Sequence, residues 1–372
     1  MDFNLTEEQQ MLRDGAERFV REQYDFETRR ALVKSGGSFS PDNWQQFADL
    51  GWLALGLPED CGGFGLDFVE VAVVMQELGR GLVLEPVISS SVLSARVIDR
   101  AGNDVHRNDL LPQIAAGELR VALAYSEAGG RFALDKVDTQ AERSGEGYSL
   151  SGRKFMVFDA PLAHKFIVTA RIPGTENICL FLVDAEAEGV VRNEYQLIDG
   201  TRAADVRFDN VKLPKEALLV DKESALSVLE EALDRAILAQ IAEAIGAMEA
   251  VMEITAEYLK DRKQFGQSLG KFQALQHRMA EMLIQVENAR SMLYRGLAHL
   301  DGDAHSRKSA ISAAKAVTAE AAKFVGAQGI QLHGGIGLTD EYSIGHYFKK
   351  LTVFEKAFGD IEHHTARYLA NQ

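Results

Sequence analysis

The sequence predicts an α+β fold in which a helical segment, a β segment and a second helical segment follow one another. All seven prolines lie at or before Pro214, so the rest of the chain can form long uninterrupted helices. Between residues 121 and 208, short β-branched or aromatic runs alternate with turn residues. Outside that stretch, apolar residues recur at helical spacing. We therefore expect an N-terminal helical domain (1–118), a middle antiparallel β domain (119–218) and a C-terminal helical bundle (219–372).

The first helix is expected to begin after Thr6. The hydroxyl of Thr6 can cap the helix, and Gln9 stands three positions on, where its side chain can return to the cap backbone. Helical spacing continues to about Gly117, with breaks near Gly62 and Pro86. The acidic start does not resemble a secretory signal, so we expect a cytoplasmic protein.

The middle domain is expected to be a small antiparallel sheet. Turn clusters such as Ser144–Gly147 and Pro173-Gly174 separate its strands. The strands are expected at Val121–Tyr125, Tyr148–Val157, Lys165–Thr169, Ile178–Val183 and Asp205–Phe208.

The C-terminal domain is expected to be a bundle of long antiparallel helices. A third helix is expected at Ser309–Gln328, where alanines allow close packing. The apolar positions that predict the first two helices are Leu226, Leu229, Leu233, Ile237, Ile241, Ile245, Met248 and Met252, then Leu275, Met279, Met282, Val286, Ala289, Leu293 and Leu297.

Composition excludes several classes of function. Forty basic and fifty-five acidic residues give a net charge of −15, which argues against nucleic acid or an anionic membrane as a partner. A few local arginines can still hold phosphates. Two cysteines, Cys61 and Cys179, are too few for a disulfide framework or a thiolate metal site, so no metal is expected. No apolar run is long enough to span a bilayer.

Two short stretches in the last third of the chain point to chemistry: Asp261–Gly266 (Asp-Arg-Lys-Gln-Phe-Gly) and Gln331–Gly337 (Gln-Leu-His-Gly-Gly-Ile-Gly). Arg262 offers a charged planar fork that suits a pyrophosphate. The glycines let a bare backbone approach a dinucleotide. A phosphate loop of the P-loop type is excluded at Gly334, because a helix precedes it and no Lys-Ser/Thr follows.

Both stretches, in this order, resemble motifs of the acyl-CoA dehydrogenase family of FAD flavoenzymes, and the resemblance covers essentially the whole chain. It implies a C-terminal four-helix bundle and a FAD shared across a subunit interface. It also implies a set of residues that reach the pyrophosphate and adenine of a FAD held by the neighbouring subunit. These are Arg262, Gln264, Phe265, Leu269, Phe272, Leu275, Gln331, Gly334 and Gly335. If either motif stood alone, a plainer interpretation would be preferred: Arg262 would be a solvated cation at a helix end, or the glycines would simply end a helix.

The side of the site that surrounds the flavin ring departs from the family pattern. The loop after Ala124–Glu127 reads Ala128–Phe132 and has lost the usual serine and aspartate. In Lys154–Phe158, Met156 takes the place of a tryptophan that stacks on the flavin. Phe158 takes the place of a threonine that hydrogen-bonds to it. We interpret both as ordinary core residues of the β domain.

The catalytic base is also missing from its usual position. Counted at family spacing from Glu341, the glutamate that removes the α-proton falls on Phe358. Some members place this base on the first bundle helix. That position falls near Ala236, with Asp234 and Glu231 close by but neither clearly in register, and Asp234 is the possible substitute. An aspartate beside Arg235 is more typical of a solvated pair. His363 and His364 are typical of surface residues.

Three functions compete. We prefer a partner subunit that donates its turns to a catalytic relative, in a hetero-tetramer acting on an acyl-CoA of fatty acid or steroid degradation. An electron-accepting flavoprotein would complete the reaction. The Phe358-Gly359-Asp360 ending is similar to subunits of that kind. The alternatives are a self-sufficient homo-oligomeric dehydrogenase with Asp234 as its base, and a non-catalytic module that binds CoA esters or proteins.

Overall fold

A computed structural model describes residues 4–175, 177–220 and 224–371. Helices come first, strands follow and long helices end the chain, so the predicted fold class is confirmed. A π-helix covers Val87–Ser94. The α-helices are α1 (Glu7–Gln23), α2 (Phe26–Lys34), α3 (Pro41–Asp49), α4 (Phe68–Arg80), α5 (Ala95–Ala101), α6 (Asp104–Ala115), α7 (Ser224–Asp261), α8 (Gln273–His299), α9 (Ala304–His333), α10 (Ile344–Lys356) and α11 (Ile361–Leu369).

The strands form one large sheet and one small hairpin. They are β1 (Val121–Ala124), β2 (Gln140–Ser144), β3 (Gly147–Phe158), β4 (Lys165–Arg171), β5 (Ile178–Asp184), β6 (Val190–Gln196), β7 (Arg202–Leu213), β8 (Leu218–Val220), β9 (Lys263–Gln264) and β10 (Gln267–Ser268). The large sheet has the order β6-β7-β3-β2-β4-β5-β8, with β1 on β4, and β9 pairs with β10.

The sheet is largely antiparallel, as expected, with a difference at β4. There β1 pairs in parallel over its whole length, and β2 meets β4 in parallel at Gln140 and Arg171. The β2–β3 hairpin lies between β1 and β4 in sequence, and this long connection returns the chain in the same direction. The five expected strands overlap β1, β3, β4, β5 and β7. The strands β2 and β6 were missed because they are largely exposed and polar.

The chain folds as two compact units. The first contains the residues up to Ser35, Phe68–Val83 and the chain from Ile237 onward. The second contains Gly36–Asp67 and Leu84–Ala236, and its sheet buries Phe166, which meets Phe208 edge to face at 6.4 Å. The domain boundaries expected at residues 118 and 218 remain predictions.

The first unit is helical. The capping box of α1 is confirmed, because the Gln9 amide donates to the Thr6 hydroxyl at 3.2 Å and the Gln9 side chain accepts from the Thr6 amide at 3.0 Å. In the bundle, α9 packs against α8, α10 and α11. The expected helix at Ser309–Gln328 lies inside α9, which Asp303 caps.

Two glycines let α4 and the C-terminal part of α7 approach each other very closely. A Cβ on Gly246 would lie 1.8 Å from the carbonyl oxygen of Gln76, and one on Gly79 would lie 1.9 Å from that of Glu243. Both carbonyls belong to helix backbones, so neither can move away without shifting its helix. The absence of a side chain at these two positions therefore fixes the distance between the helices.

Replacing Gly246 with alanine is expected to destabilise the protein by about 3 kcal/mol or more, because the new methyl overlaps backbone. Gly15→Ala in α1 is the matched control, since no atom lies within 4 Å of the added Cβ. It is expected to gain about 0.5–1 kcal/mol from helix propensity. Urea unfolding of the two variants measures both effects, and equal stabilities would contradict the close approach.

Candidate functional site

The first candidate turn follows the end of α7. The strands β9 and β10 form a hairpin connected by Phe265 and Gly266, whose φ values are +54° and +80°. Two positive φ values in succession define a type I′ turn, which Asn-Gly or Gly-Gly normally occupies. A phenylalanine in this conformation costs about 1–2 kcal/mol relative to glycine. Its ring is 91% exposed, so the chain's own packing does not repay that cost.

The cations of this turn have no partners in the described part of the chain. Arg262 is exposed, and its guanidinium makes no hydrogen bond or ion pair among the described residues. Only its backbone is engaged, with the amide donating to Tyr258 and the carbonyl accepting from Leu269. Lys263 and Lys271 are also exposed. A protein of net charge −15 thus presents a local group of unpaired positive charges beside an exposed aromatic ring.

The second candidate turn follows the end of α9. Gly334 has φ +63° and ψ −138°, a backbone conformation that residues other than glycine rarely adopt. Gly335 has an ordinary φ, and no atom lies within 4 Å of the position its Cβ would take. Nothing in the described chain therefore requires glycine at 335. A ligand approaching the backbone closely would require it.

An aromatic cluster brings the two turns together. The ring of Tyr258, one helical turn before Arg262, stacks on His333 with centroids 4.4 Å apart. The Tyr258 hydroxyl donates to the His333 carbonyl at 3.3 Å, and Tyr342 packs against His333 at 5.1 Å. His333 immediately precedes Gly334, so the ends of α7 and α9 are held side by side. This cluster was not predicted, because no local sequence pattern pairs residues 258 and 333.

The residues expected to pack an adenine lie beside the first turn. Leu269, Phe272 and Leu275 are half-buried, and Phe272 meets the Phe265 ring edge to face at 6.2 Å. Gln264 and Gln331 are both exposed. The structure thus presents all nine expected positions on one unit, in two adjoining turns and the start of α8.

Met156 is not the core residue we expected. It is 53% exposed and has φ +49°, at a bulge where β3 loses register with β7 between Lys154 and Val157. Its amide donates to Asp205 at 3.2 Å, which holds the bulge open. The strand therefore turns the Met156 side chain outward, as bulges near binding sites often do. Phe158 is half-buried.

A buried ion pair supports this bulge from inside the β domain. Lys154 is fully buried, and its ammonium donates to the Glu127 carboxylate at 2.5 Å and to the Thr169 hydroxyl at 2.6 Å. Glu127 also accepts from the amides of Asp138 and Thr139. Burial lowers the pKa of Lys154 to about 8. The pKa of Glu127 is held below its usual value because Lys154 and these donors outweigh its own burial.

The position of the usual base offers no acid or base chemistry. Phe358 has φ +56°, and its carbonyl accepts a hydrogen bond from Nε2 of His364 at 3.0 Å. His364 is 1% exposed, so our expectation of a surface residue was wrong for it. Burial, with Lys315 and His363 nearby, lowers the pKa of His364 to about 2. Asp360 caps α11 through the His363 amide at 2.9 Å.

The substitute base also differs from expectation. Asp234 is fully buried rather than solvated, so the expected exposed pair with Arg235 was wrong. Arg235 instead donates to Glu231 at 2.8 Å, and Arg96 forms a fork on the same carboxylate at 2.8–3.1 Å. Against its burial, these two guanidinium groups lower the pKa of Glu231 to about 2. A carboxylate held so tightly is a poor proton acceptor, so Glu231 is a structural residue.

The two turns carry groups whose chemistry suits parts of a dinucleotide. Unpaired cations, an exposed ring and bare glycine backbone suit a pyrophosphate and an adenine. Met156 and Phe158, at the two positions expected to face a flavin ring, carry neither a hydroxyl nor an indole. Among the described residues, no three His, Cys, Asp or Glu side chains lie close enough to hold a metal ion. No helix in the same ranges has the length and apolarity needed to cross a membrane.

The chain belongs to the acyl-CoA dehydrogenase family. Models of the family's three domains match in order: N-terminal over residues 6–118, middle over 122–211 and C-terminal over 226–371. Members of this family are FAD-dependent oxidoreductases.

Similar proteins align with the chain over nearly its full length. The caffeyl-CoA reductase-Etf complex subunit CarC of Acetobacterium woodii is 28% identical, with 94% of each chain covered. A solved Tcur3481-Tcur3483 steroid acyl-CoA dehydrogenase variant is 30% identical, with TM-score 0.87 and 98% and 97% of the chains covered. The ChsE4-ChsE5 complex from Mycobacterium tuberculosis has TM-score 0.90 and 26% identity, with both chains fully covered.

Glu127→Gln is expected to destabilise the protein by about 3–5 kcal/mol, because it leaves the buried Lys154 ammonium without a counter-charge. Asp209→Asn is the control, since its pair with Arg207 is exposed on both sides and is worth about 0–1 kcal/mol. Chemical unfolding at pH 7 measures the difference. A loss below 1 kcal/mol for Glu127→Gln would show that Lys154 is not charged in the folded state.

Proposed function

We propose that this chain is the partner subunit of a heteromeric acyl-CoA dehydrogenase. In this proposal it contributes the Arg262 and Gln331–Gly335 turns to a FAD whose flavin ring is held by a related catalytic subunit. The observation that carries the proposal is the first turn, where an unpaired guanidinium stands beside a strained, 91% exposed phenyl ring.

The asymmetry of the two half-sites supports this division of labour. The positions that reach a neighbour's cofactor retain residues suited to phosphate and adenine. The positions that surround the chain's own flavin ring and substrate have lost the hydroxyl, the indole and the carboxylate. We expect functional groups to be lost around the flavin ring alone in a subunit whose catalytic groups are supplied by a related subunit. A chain that had left flavin chemistry altogether would have no reason to retain Phe265 in a strained turn.

In the complex, Arg262 is proposed to pair with the pyrophosphate, while Phe265, Leu269 and Phe272 pack the adenine. Gly334 and Gly335 let backbone amides approach the nucleotide. FAD, when bound, supplies the acceptor for the hydride that leaves the β-carbon of the acyl-CoA. The base that removes the α-proton is assigned to the catalytic subunit.

The similar proteins favour two partners for such a subunit. Two of the solved structures carry paired names, Tcur3481-Tcur3483 and ChsE4-ChsE5, and the first is named a steroid enzyme. We therefore propose a hetero-tetramer acting on a bulky acyl-CoA. The CarC relative is named as a subunit of a complex with Etf. An electron-accepting flavoprotein is accordingly the proposed destination of the electrons.

The proposal is tested by flavin content. The chain expressed alone is expected to carry almost no FAD, because Met156 and Phe158 leave the ring without its contacts. Co-expression with a relative that retains the indole, hydroxyl and glutamate should give about one FAD per two chains in a closed assembly. Absorbance at 450 nm against protein concentration measures both. Stoichiometric flavin on the lone chain would favour the self-sufficient enzyme, and Asp234→Asn would then test its base.

Arg262→Ala is expected to weaken FAD retention in the complex by about ten- to a hundredfold, because it removes a charge-assisted contact worth about 1.5–3 kcal/mol. Arg262→Lys should recover part of the loss, since it restores the charge but not the fork. Arg18→Ala, on the exposed face of α1, controls for charge alone. Flavin release on dilution measures the effect. Equal retention in the Arg262→Ala and Arg18→Ala complexes would place the pyrophosphate elsewhere.

A further inference from the structure

The Gly334–Tyr342 loop begins with a short 3₁₀-helix over Gly334–Leu338 and continues in irregular backbone. The Thr339 amide donates to the Ile336 carbonyl at 3.1 Å, and Tyr342 packs against His333 at the end of the loop. Leu338 is 78% exposed. On one side the loop lines a cavity of about 470 Å³, together with Ala327, Ile330 and Phe348. Between these two ends, the backbone around Asp340 is irregular and is held by side chains of other elements.

The buried contact with Asp340 comes from His346 on α10, which is in turn held by Arg29 on α2. Arg29 is 1% exposed, which is rare for an arginine, and its Nε donates to the Leu82 carbonyl at 2.8 Å. Its terminal nitrogen lies 3.3 Å from Nδ1 of His346, at the start of α10. Nε2 of His346 lies 3.0 Å from the carbonyl oxygen of Asp340, within the loop. His346 thus links a buried cation to the loop backbone.

The chemistry of Arg29 fixes the tautomer of His346. A guanidinium has only donors, so Nδ1 of His346 must be the acceptor. The proton then sits on Nε2, which donates to Asp340. A second proton on the ring would place an N–H against a guanidinium N–H. The neutral imidazole is the form that completes the link.

Salt bridges strengthen the same attachment at the surface. Arg30 lies 3.4 Å from the Asp340 carboxylate and 3.3 Å from that of Glu341, and Lys34 lies 3.5 Å from Asp340. These pairs are exposed on the loop side and contribute little by themselves. The buried hydrogen bonds from Arg29 to His346 and from His346 to the Asp340 carbonyl define the position of the loop backbone more narrowly than these salt bridges do.

We propose that Arg29 and His346 are positioning residues for the Gly334 turn, holding the Gly334–Tyr342 loop in the conformation that meets the nucleotide. The link to the nucleotide rests on the proposed function, whereas the hold on the loop does not. Loss of the imidazole, or its protonation, is expected to free the loop and to loosen the turn that precedes it.

The pH range follows from the groups around His346. Burial first, and then Arg29 and Lys349, lower the pKa of His346 below 6.5, against the opposing effect of Asp340. Arg30, His346 and Lys34 keep the pKa of Asp340 below its usual value, despite some burial. Because the folded state holds His346 neutral, its stabilising contribution is complete above pH 6.5 and declines as the pH falls below that value.

Hydrogen exchange of the full-length chain tests the hold on the loop. In His346→Leu, amides of residues 336–342 should exchange about ten- to a hundredfold faster, as expected for losing a hydrogen bond to a charged group. His346→Gln keeps an acceptor and a donor and cannot be protonated. It should match wild type at pH 7.5 and, after correction for intrinsic rates, show no extra opening at pH 5. His277→Gln, an exposed position on α8, is the control.

Two outcomes would overturn the proposal. Unchanged exchange in His346→Leu would show that other contacts fix the loop, and a pH response in His346→Gln equal to that of wild type would remove His346 as its cause.

Flavin retention in the co-expressed complex separates the two proposals. If Arg262→Ala lowers retention and His346→Leu does not, the loop does not position the nucleotide. If His346→Leu alters exchange but neither His346→Leu nor Arg262→Ala alters flavin retention, the proposed function is wrong. The role of His346 in fixing the loop is then still supported.

Discussion

The stacking of Tyr258 on His333 is the interaction on which the candidate site depends. It joins the ends of two long helices, and each helix leads directly into one of the two turns. Helices of this length are stable through their packed faces, but their last turns fray unless something holds them. An aromatic contact at 4.4 Å, with a hydroxyl-to-carbonyl bond beside it, provides that hold. The turns can then present glycines and a strained phenylalanine without disturbing the bundle.

Buried basic side chains support three irregular segments of the fold. Lys154 stands behind the Met156 bulge, and Arg29 stands behind the Gly334–Tyr342 loop. Lys315 is fully buried in α9 and donates to the Phe354 carbonyl, near the end of α10 and before the turn at Phe358. Its ammonium lies 3.7 Å from the centroid of the Phe354 ring. Each cation is costly to bury, and each is directed by one or two specific acceptors. Such groups fix the direction of an irregular backbone segment better than apolar packing, which has no preferred direction.

The backbone at Met156 and at Phe358 is held by buried partners and not by the side chains of these two residues. The buried Lys154–Glu127 pair lies beneath the Met156 bulge, while the Met156 side chain is 53% exposed. Phe358 likewise has a left-handed backbone, and His364 donates to its carbonyl. The backbone geometry of these positions is set by buried partners. The exposed side chains can therefore change without loss of the fold.

The order of helical, β and helical segments and the cap at Thr6 could be predicted from the sequence alone, and the sequence also marked the two turns that follow α7 and α9. These features depend on local spacing and on residue type, which a single chain displays directly. It did not reveal that Asp234 and His364 are buried or that Met156 is exposed. Nor did it pair residue 258 with 333, or Arg29 with His346. Burial and side-chain contact depend on how elements far apart in sequence pack together, and that packing exists only in the tertiary structure.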